Sequence, residues 1–181
     1  GIKGYEGLHV LDFAGGTVVH MSAGLAALAG ALYLGKRKEE NTDPANIPFI
    51  ILGTGLLWFG WFGFNAGSAL AANYDAVIAF ANTNIASASS MITWVLFDRF
   101  LNKKISAVGA CIGAIVGLVA ITPAAGFVSI PHSILIGALL SEPWCHPTLR
   151  ARYARSFGCC AAPGVIPLCT RTTRAPSATA R

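Results

Sequence analysis

The chain has 181 residues, of which 54% are hydrophobic and only 12% are charged. A soluble domain carries about 25% charged residues, so this composition excludes an ordinary soluble protein and is typical of an integral membrane protein. The formal charge of +5 comes from residues 143–181, which hold six Arg and no acid, while residues 1–142 have a net charge of −1, so the charge does not indicate a nucleic-acid partner.

Five apolar segments follow one another along the chain, and they predict an all-α fold, a polytopic bundle of transmembrane helices. Four of them have the roughly 20 residues that a helix needs to cross a bilayer, over about 12–34, 48–72, 76–97 and 106–126. The fifth, 130–141, would rise only ~18 Å at ~1.5 Å per residue, so we expect a spanning helix that is cut short. No signal-peptide pattern precedes the first segment, and we expect the chain to begin inside a longer protein.

The charges of the connecting loops predict how the helices are oriented. Loops 35–47 and 98–105 each contain three Lys or Arg residues, whereas 73–75 and 127–132 contain none. Short loops rich in Lys and Arg stay in the cytoplasm. We therefore expect loops 35–47 and 98–105 to be cytoplasmic and Asp12 to begin its helix from the outside.

Small residues recur along the predicted helices. Gly109, Gly113 and Gly117 are four residues apart, and residues 86–90 read Ala-Ser-Ala-Ser-Ser. Such stripes let transmembrane helices approach closely, so we interpret them as packing surfaces and assign them no chemistry.

The first segment opens with the run DFAGGTVVHMSAG, which places a carboxylate, Asp12, and an imidazole, His20, among apolar and small residues. Both groups are costly in hydrocarbon, so inside a membrane protein they face a protein interior or a pore. Asp12 fits a helix N-cap as well as a functional acid. His20, which we expect about midway along its span, fits a hydrogen-bonded core residue as well as a pore-lining group. A helical rise of ~12 Å between the two excludes a catalytic dyad.

A second run, GWFGFNAGSA at 60–69, places Trp61, Phe64 and Ser68 three and four residues apart, which puts them on one helix face. They fit an aromatic packing stripe, but they also offer π faces and a hydroxyl acceptor to a cation that leaves water. A third run, ITPAAG at 121–126, is explained by the end of a helix alone.

These runs, in this order, closely resemble the signature of the Amt/Mep/Rh ammonium transporter family. The resemblance covers about 8–141 and implies a part of that family's fold, which has eleven helices in two inverted halves. The segments of this chain are similar to helices five to nine of that fold.

The resemblance also implies roles for individual residues. His20 would belong to a pair of pore-lining histidines, although the other histidines of this chain lie outside family-like contexts. Trp61 would line the pore, Phe64 would be one of two rings that close its outer end, and Ser68 would supply a hydroxyl to the outer ammonium site. Asp12 would be a structural acid near the substrate path.

The function implied by the resemblance is transport across a membrane, with no catalytic residues, cofactor or metal. Ammonium would bind outside and lose a proton, and ammonia would pass the pore imidazole. The complete protein would be a multi-pass membrane protein, with the cell membrane expected, and a homotrimer. The alternatives are an ammonium sensor of the same family, a membrane enzyme that uses His20, and a non-functional piece of a transporter.

Residues 143–181 differ from the rest, since Arg, Cys, Pro and Thr replace Gly, Ala, Ile and Leu and no periodicity is left. We expect residues 1–142 to be a partial transporter domain and the tail to be foreign to it, either disordered or the product of a shifted reading frame. One alternative is an Arg-rich segment that attracts anionic lipid. Another is a zinc site formed by His146 and the four tail cysteines, although their spacing matches no structural zinc pattern.

Overall fold

The structure, a computed structural model, describes residues 10–34, 44, 46–102 and 105–141, with the side chains of 101 and 102 left out. The described part of the chain forms helices joined by turns and contains no strand, which confirms the predicted all-α fold. The predicted foreign tail, its zinc alternative and most of the loop 35–47 lie outside the described residues. The helices are α1 (Gly16–Leu34), α2 (Ile47–Gly67), α3 (Tyr74–Phe97), a π-helical turn (Asp98–Asn102), α4 (Ala107–Ile121) and α5 (Ile130–Ser141).

Polar residues between the apolar segments start three of the helices. The side chains of Asn46, Asn73 and Ser106 accept hydrogen bonds from backbone N–H groups three residues further on, at 3.0 to 3.2 Å. Each cap satisfies one of the N–H groups that a helix N-terminus leaves without a partner. The boundaries of α2, α3 and α4 are therefore set by local chemistry.

Two helix boundaries differ from the sequence prediction. The first segment becomes helical only at Gly16, so His20 lies in the second turn of α1 and not midway along a span. The expectation that 106–126 forms one helix of bilayer length is wrong, because α4 ends at Ile121. Pro123 has no N–H to continue the helical hydrogen bonds, and the chain turns over 122–128. By length and composition, α1 and α2 could each cross a membrane.

The small residues of α4 pack closely against α3, as the sequence predicted. A Cβ atom on Gly117 would lie 2.6 Å from the carbonyl oxygen of Ala86, and one on Gly113 would lie 2.7 Å from Cβ of Trp94. Neither position has room for a side chain, so the stripe sets the distance between the two helices.

Serine side chains join the same two helices. Ser87 Oγ donates to the carbonyl of Ala114 at 2.9 Å, and Ser90 Oγ donates to that of Gly113 at 2.6 Å. All of these groups are buried, and a hydrogen bond removes the cost of burying each hydroxyl. Gly137 of α5 also packs against α3, at Ala86 and Ser89.

Helix α1 contacts the rest of the described chain mainly at its N-terminal end. Large apolar side chains along it are exposed, among them Leu25 at 62% and Leu32 at 75%. The end of α1 that carries His20, and that Asp12 precedes, is thus the part attached to the bundle.

Candidate functional site

Three of the residues singled out in the sequence meet at one place. His20 of α1 stacks on Trp61 of α2, with ring centroids 5.4 Å apart and ring planes 25° from parallel. Phe64 meets both edge-on, with its centroid 6.1 Å from that of His20 and 5.9 Å from that of Trp61. We call these three side chains the aromatic cluster. Their arrangement gives the imidazole one aromatic face and one aromatic edge as neighbours.

The end of α4 holds the indole of this cluster. Trp61 Nε1 donates to Oγ1 of Thr122 at 2.9 Å, and that hydroxyl donates to the carbonyl of Leu118 at 2.7 Å. Thr122 is fully buried, so the bond has little competition from solvent. The indole is therefore fixed in the plane on which His20 stacks.

The same turn also fixes the start of α1. The N–H of Phe13 donates to the carbonyl of Pro123 at 2.8 Å, and the Phe13 ring packs over Gly126 and edge-on to Phe127. Gly16 lies so close that a Cβ atom there would be 2.6 Å from Cδ of Pro123. This contact brings the first turns of α1, and with them His20, to the side of Trp61.

Asp12 caps α1 from outside the helix. Its Oδ2 accepts the N–H of Thr17 at 3.1 Å across a turn in which Gly15 has a φ of +82°, a conformation that suits glycine. Capping is one of the two roles that the sequence left open for Asp12, and this hydrogen bond provides it. The second oxygen, Oδ1, is buried and has no hydrogen-bond partner among the described residues. Asp12 thus keeps one acceptor free beside the site.

The imidazole of His20 also has a buried polar atom, Nε2, that lacks a hydrogen-bond partner among the described residues. A neutral imidazole carries one donor and one acceptor nitrogen. An unpaired buried nitrogen is unfavourable, so the position is better suited to a passing polar ligand than to packing alone.

Ser68 lies just beyond the last residue of α2, at the end of the helix nearer to Phe64. Its Oγ donates to the carbonyl of Phe64 at 2.8 Å, and the residue is half-buried. It is not part of the aromatic cluster, but it lies one helical turn from it. Of the five predicted site residues, the structure joins His20, Trp61 and Phe64 directly and leaves Asp12 and Ser68 beside them.

Several buried polar residues near the site were missed by sequence reasoning. Thr122 was interpreted only as part of a helix end, and Asn82 and Thr83 were given no role. Asn65 Nδ2 donates to Oγ1 of Thr83 at 2.9 Å. These buried polar residues are all inaccessible to solvent: Asn65, Asn82, Thr83 and Thr122. The available signal was their polarity within apolar segments, where each polar group needs a partner.

Chemically, the site combines π faces, one buried imidazole nitrogen and hydroxyl and carboxylate acceptors within an apolar bundle. Aromatic faces and oxygen acceptors attract a small cation, and an imidazole can exchange a proton with one.

A model of the Ammonium Transporter Family matches residues 4–146. The ammonium transporter of Aquifex aeolicus is 54% identical over 131 residues, which are 72% of this chain and 31% of that protein. The ammonium transporter of Bacillus subtilis is 53% identical over 133 residues, which are 73% of this chain and 33% of that protein. The chain therefore spans about a third of the length of these relatives.

Solved structures agree with the sequence comparison. The crystal structure of Candida albicans Mep2 superposes with a TM-score of 0.69 and 45% identity, over 73% of this chain and 31% of that one. A structure described as a sensor Amt protein gives a TM-score of 0.68 and 36% identity, over 72% of this chain and 34% of that one.

Proposed function

This chain belongs to the ammonium transporter family, and from that premise we propose that it forms part of a path that carries ammonium or ammonia across a membrane. It is a multi-pass membrane protein with a helical fold. The observation that carries the proposal is the stacking of His20 on Trp61 beside Phe64, with a buried imidazole nitrogen that no described residue satisfies.

Ammonium would be received at the Ser68 end of α2. A cation that leaves water needs acceptors and π faces in place of its hydration shell. Because the Ser68 hydroxyl donates its hydrogen bond to the carbonyl of Phe64, the lone pairs of its oxygen stay available as acceptors. Phe64 is 36% exposed, so its ring can meet a ligand at this end of the helix.

The path would then follow the face of α2 from Phe64 to Trp61, one helical turn or ~5 Å further along, and reach His20. A permanent charge is costly inside an apolar bundle, so the ion would leave its proton with water at the outer end of the path, and ammonia would pass the imidazole. A neutral imidazole offers one donor and one acceptor to ammonia and needs no counter-ion. This is desolvation and conduction with no covalent step on the protein, so we assign no enzyme activity; the relatives, too, are named as transporters.

Asp12 would support the path in two ways. Its Oδ2 caps α1 and so fixes the helix that presents His20, while the free Oδ1 adds negative charge beside the site. A carboxylate at the positive end of a helix is stabilised there by the helix dipole. The acid therefore favours a cation near the outer end of the path.

The proposal is tested in a complete transporter. Residues 10–141 would replace the matching segment of the Bacillus subtilis ammonium transporter, and the chimera would be reconstituted in liposomes that contain a pH-sensitive dye. An ammonium pulse should change the internal pH faster than in empty liposomes and at a rate similar to that of the unmodified relative.

A chimera that assembles normally but gives the rate of empty liposomes would overturn the proposal. In that case the likeness to the sensor Amt protein would favour a receptor. Calorimetric binding of ammonium without flux would be the result expected of a receptor.

A further inference from the structure

Asn82 of α3 makes two hydrogen bonds to a single turn of the chain. Its Nδ2 donates to the carbonyl of Ala125 at 2.8 Å and to that of Val128 at 2.7 Å. The side chain is fully buried. One amide group therefore ties α3 to both halves of the turn 122–128.

This turn also supports the aromatic cluster from two sides. Thr122, its first residue, accepts the indole N–H of Trp61, and Pro123, its second, accepts the N–H of Phe13 next to Asp12. Both His20 and Trp61 thus depend on a segment that has no regular secondary structure. Contacts from outside the turn must therefore fix its conformation if the rings of the aromatic cluster are to keep their relative positions.

We infer that Asn82 is a positioning residue, which acts on the substrate path through the turn 122–128 by fixing Thr122 and Pro123. The inference rests on the proposed function of the aromatic cluster. Both hydrogen bonds of Asn82 go to the turn and neither goes to the stacked pair, so its effect on transport would pass through the turn.

The chemistry of the amide supports a specific role. Among the side chains of this size, only a carboxamide offers two N–H donors from one nitrogen, and the turn uses both. The other polar atom, Oδ1, is buried without a hydrogen-bond partner among the described residues. An unpaired buried oxygen is unfavourable, so the two donated bonds, and not the acceptor, determine the orientation of the amide.

General attachment of α3 to α4 is provided elsewhere. Ser87 and Ser90 donate to carbonyls of Ala114 and Gly113, in the middle of α4 and away from the turn. Together they make as many bonds between these helices as Asn82 makes to the turn. The double variant S87A/S90A is therefore a matched control, because it removes two buried donor bonds without touching the turn.

The test uses the chimera described above, labelled with 5-fluorotryptophan, with the Trp61 signal in the ¹⁹F NMR spectrum assigned by its loss in W61F. The variant N82D keeps the shape of the side chain but cannot donate both hydrogen bonds. We expect N82D to shift or broaden the Trp61 signal and to lower ammonium flux on the order of tenfold, less than the roughly hundredfold that a 1 Å misplacement can cost a catalytic site. The S87A/S90A variant should leave the Trp61 signal and the flux close to their original values.

An unchanged Trp61 signal in assembled N82D would overturn the inference, whatever happens to flux. N82S, which keeps one donor, provides a second variant and should give an intermediate shift. If N82D and N82S both fail to assemble while S87A/S90A assembles, Asn82 is a folding residue and the inference is wrong. Failure of the proposed function is distinguishable, since it would show as normal flux in H20A while N82D still moves the Trp61 signal.

Discussion

Thr122 connects the polar and aromatic parts of the site at the scale of single residues. Its hydroxyl accepts from Trp61 and donates to Leu118, so both of its hydrogen-bonding functions are used in a fully buried position. The indole on which His20 stacks has its orientation fixed through this one oxygen. The geometry of the candidate site thus depends in part on this bond.

Replacing Thr122 by Val should lower both stability and flux of a complete transporter that carries this segment. The change keeps the shape of the side chain but leaves the Trp61 N–H without an acceptor, which costs about 1–3 kcal/mol. The measurements are the thermal midpoint of the purified protein and ammonium flux in liposomes. T54V is the control, because Thr54 donates only to the carbonyl of Ile50 in its own helix. Equal flux in T122V and T54V would show that the bond to Trp61 does not matter.

Two substitutions of Asp12 should separate its capping from its charge. Asp12→Asn keeps an oxygen that can accept the N–H of Thr17 and removes the charge, whereas Asp12→Ala removes both. We expect D12N to assemble normally and to require more ammonium for half-maximal flux. D12A should in addition lose stability by about 0.5–2 kcal/mol, the usual cost of a lost cap. If D12N and D12A behave alike in flux and in thermal midpoint, Asp12 does not have two separable roles.

The sequence was sufficient to predict which residues of this site are chemically unusual, but not all of their contacts. His20 and Asp12 stand out because polar groups are costly in apolar segments, and Trp61 and Phe64 share a helix face by spacing alone. The bond from Trp61 to Thr122 joins residues 61 positions apart and depends on how α2 meets the end of α4. No local sequence pattern relates residues so far apart in the chain, so Thr122 could not be identified without the three-dimensional structure.

At the scale of helices, the small residues of α4 determine how closely the bundle packs. Their role was predictable because four-residue spacing of glycine is itself a packing signal. The start of α1 and the end of α4 were not predictable, because apolar composition continues past Gly15, where φ is +82°, and past Pro123. The predicted orientation, with 35–47 and 98–105 in the cytoplasm, stays a prediction.

A methyl group should have opposite effects at two glycines of this bundle. In Gly117→Ala it would lie 2.6 Å from the Ala86 carbonyl and 2.8 Å from Cα of Ser87, so α3 and α4 must separate. We expect a loss of about 1–3 kcal/mol in the free energy of unfolding, measured by denaturant titration in detergent. Gly53→Ala meets nothing within 4 Å and should gain up to about 1 kcal/mol from helix propensity. A stable G117A would contradict the close approach of these helices.

At the scale of the whole molecule, the proposed path would have only one of its sides in this chain. It spans about a third of the length of the ammonium transporters it matches, and α1 leaves most of its apolar side chains exposed. Binding sites in transporters with repeated halves lie between those halves, so residues of both are needed. The homotrimer implied by the family resemblance stays a prediction for the complete protein.

The purified chain of 181 residues should therefore not conduct ammonium by itself. His20, Phe64 and Ser68 would face lipid or a wrongly packed neighbour, at a cost that this part of a bundle does not recover. Liposomes that contain the chain should show the same internal pH response to an ammonium pulse as empty ones. Flux above that level, abolished by H20A, would mean that this segment alone forms a path.

The central claim, that His20 lines the path, is tested most directly by ammonium flux in the chimera carrying His20→Ala. The control is Leu25→Ala, on an exposed position of the same helix. We expect H20A to assemble and melt like the parent, yet to change ammonium flux, or its ratio to methylammonium flux, by about tenfold or more, equivalent to ~1.4 kcal/mol. L25A should leave both fluxes unchanged. Unaltered ammonium and methylammonium flux in a normally assembled H20A would contradict the account.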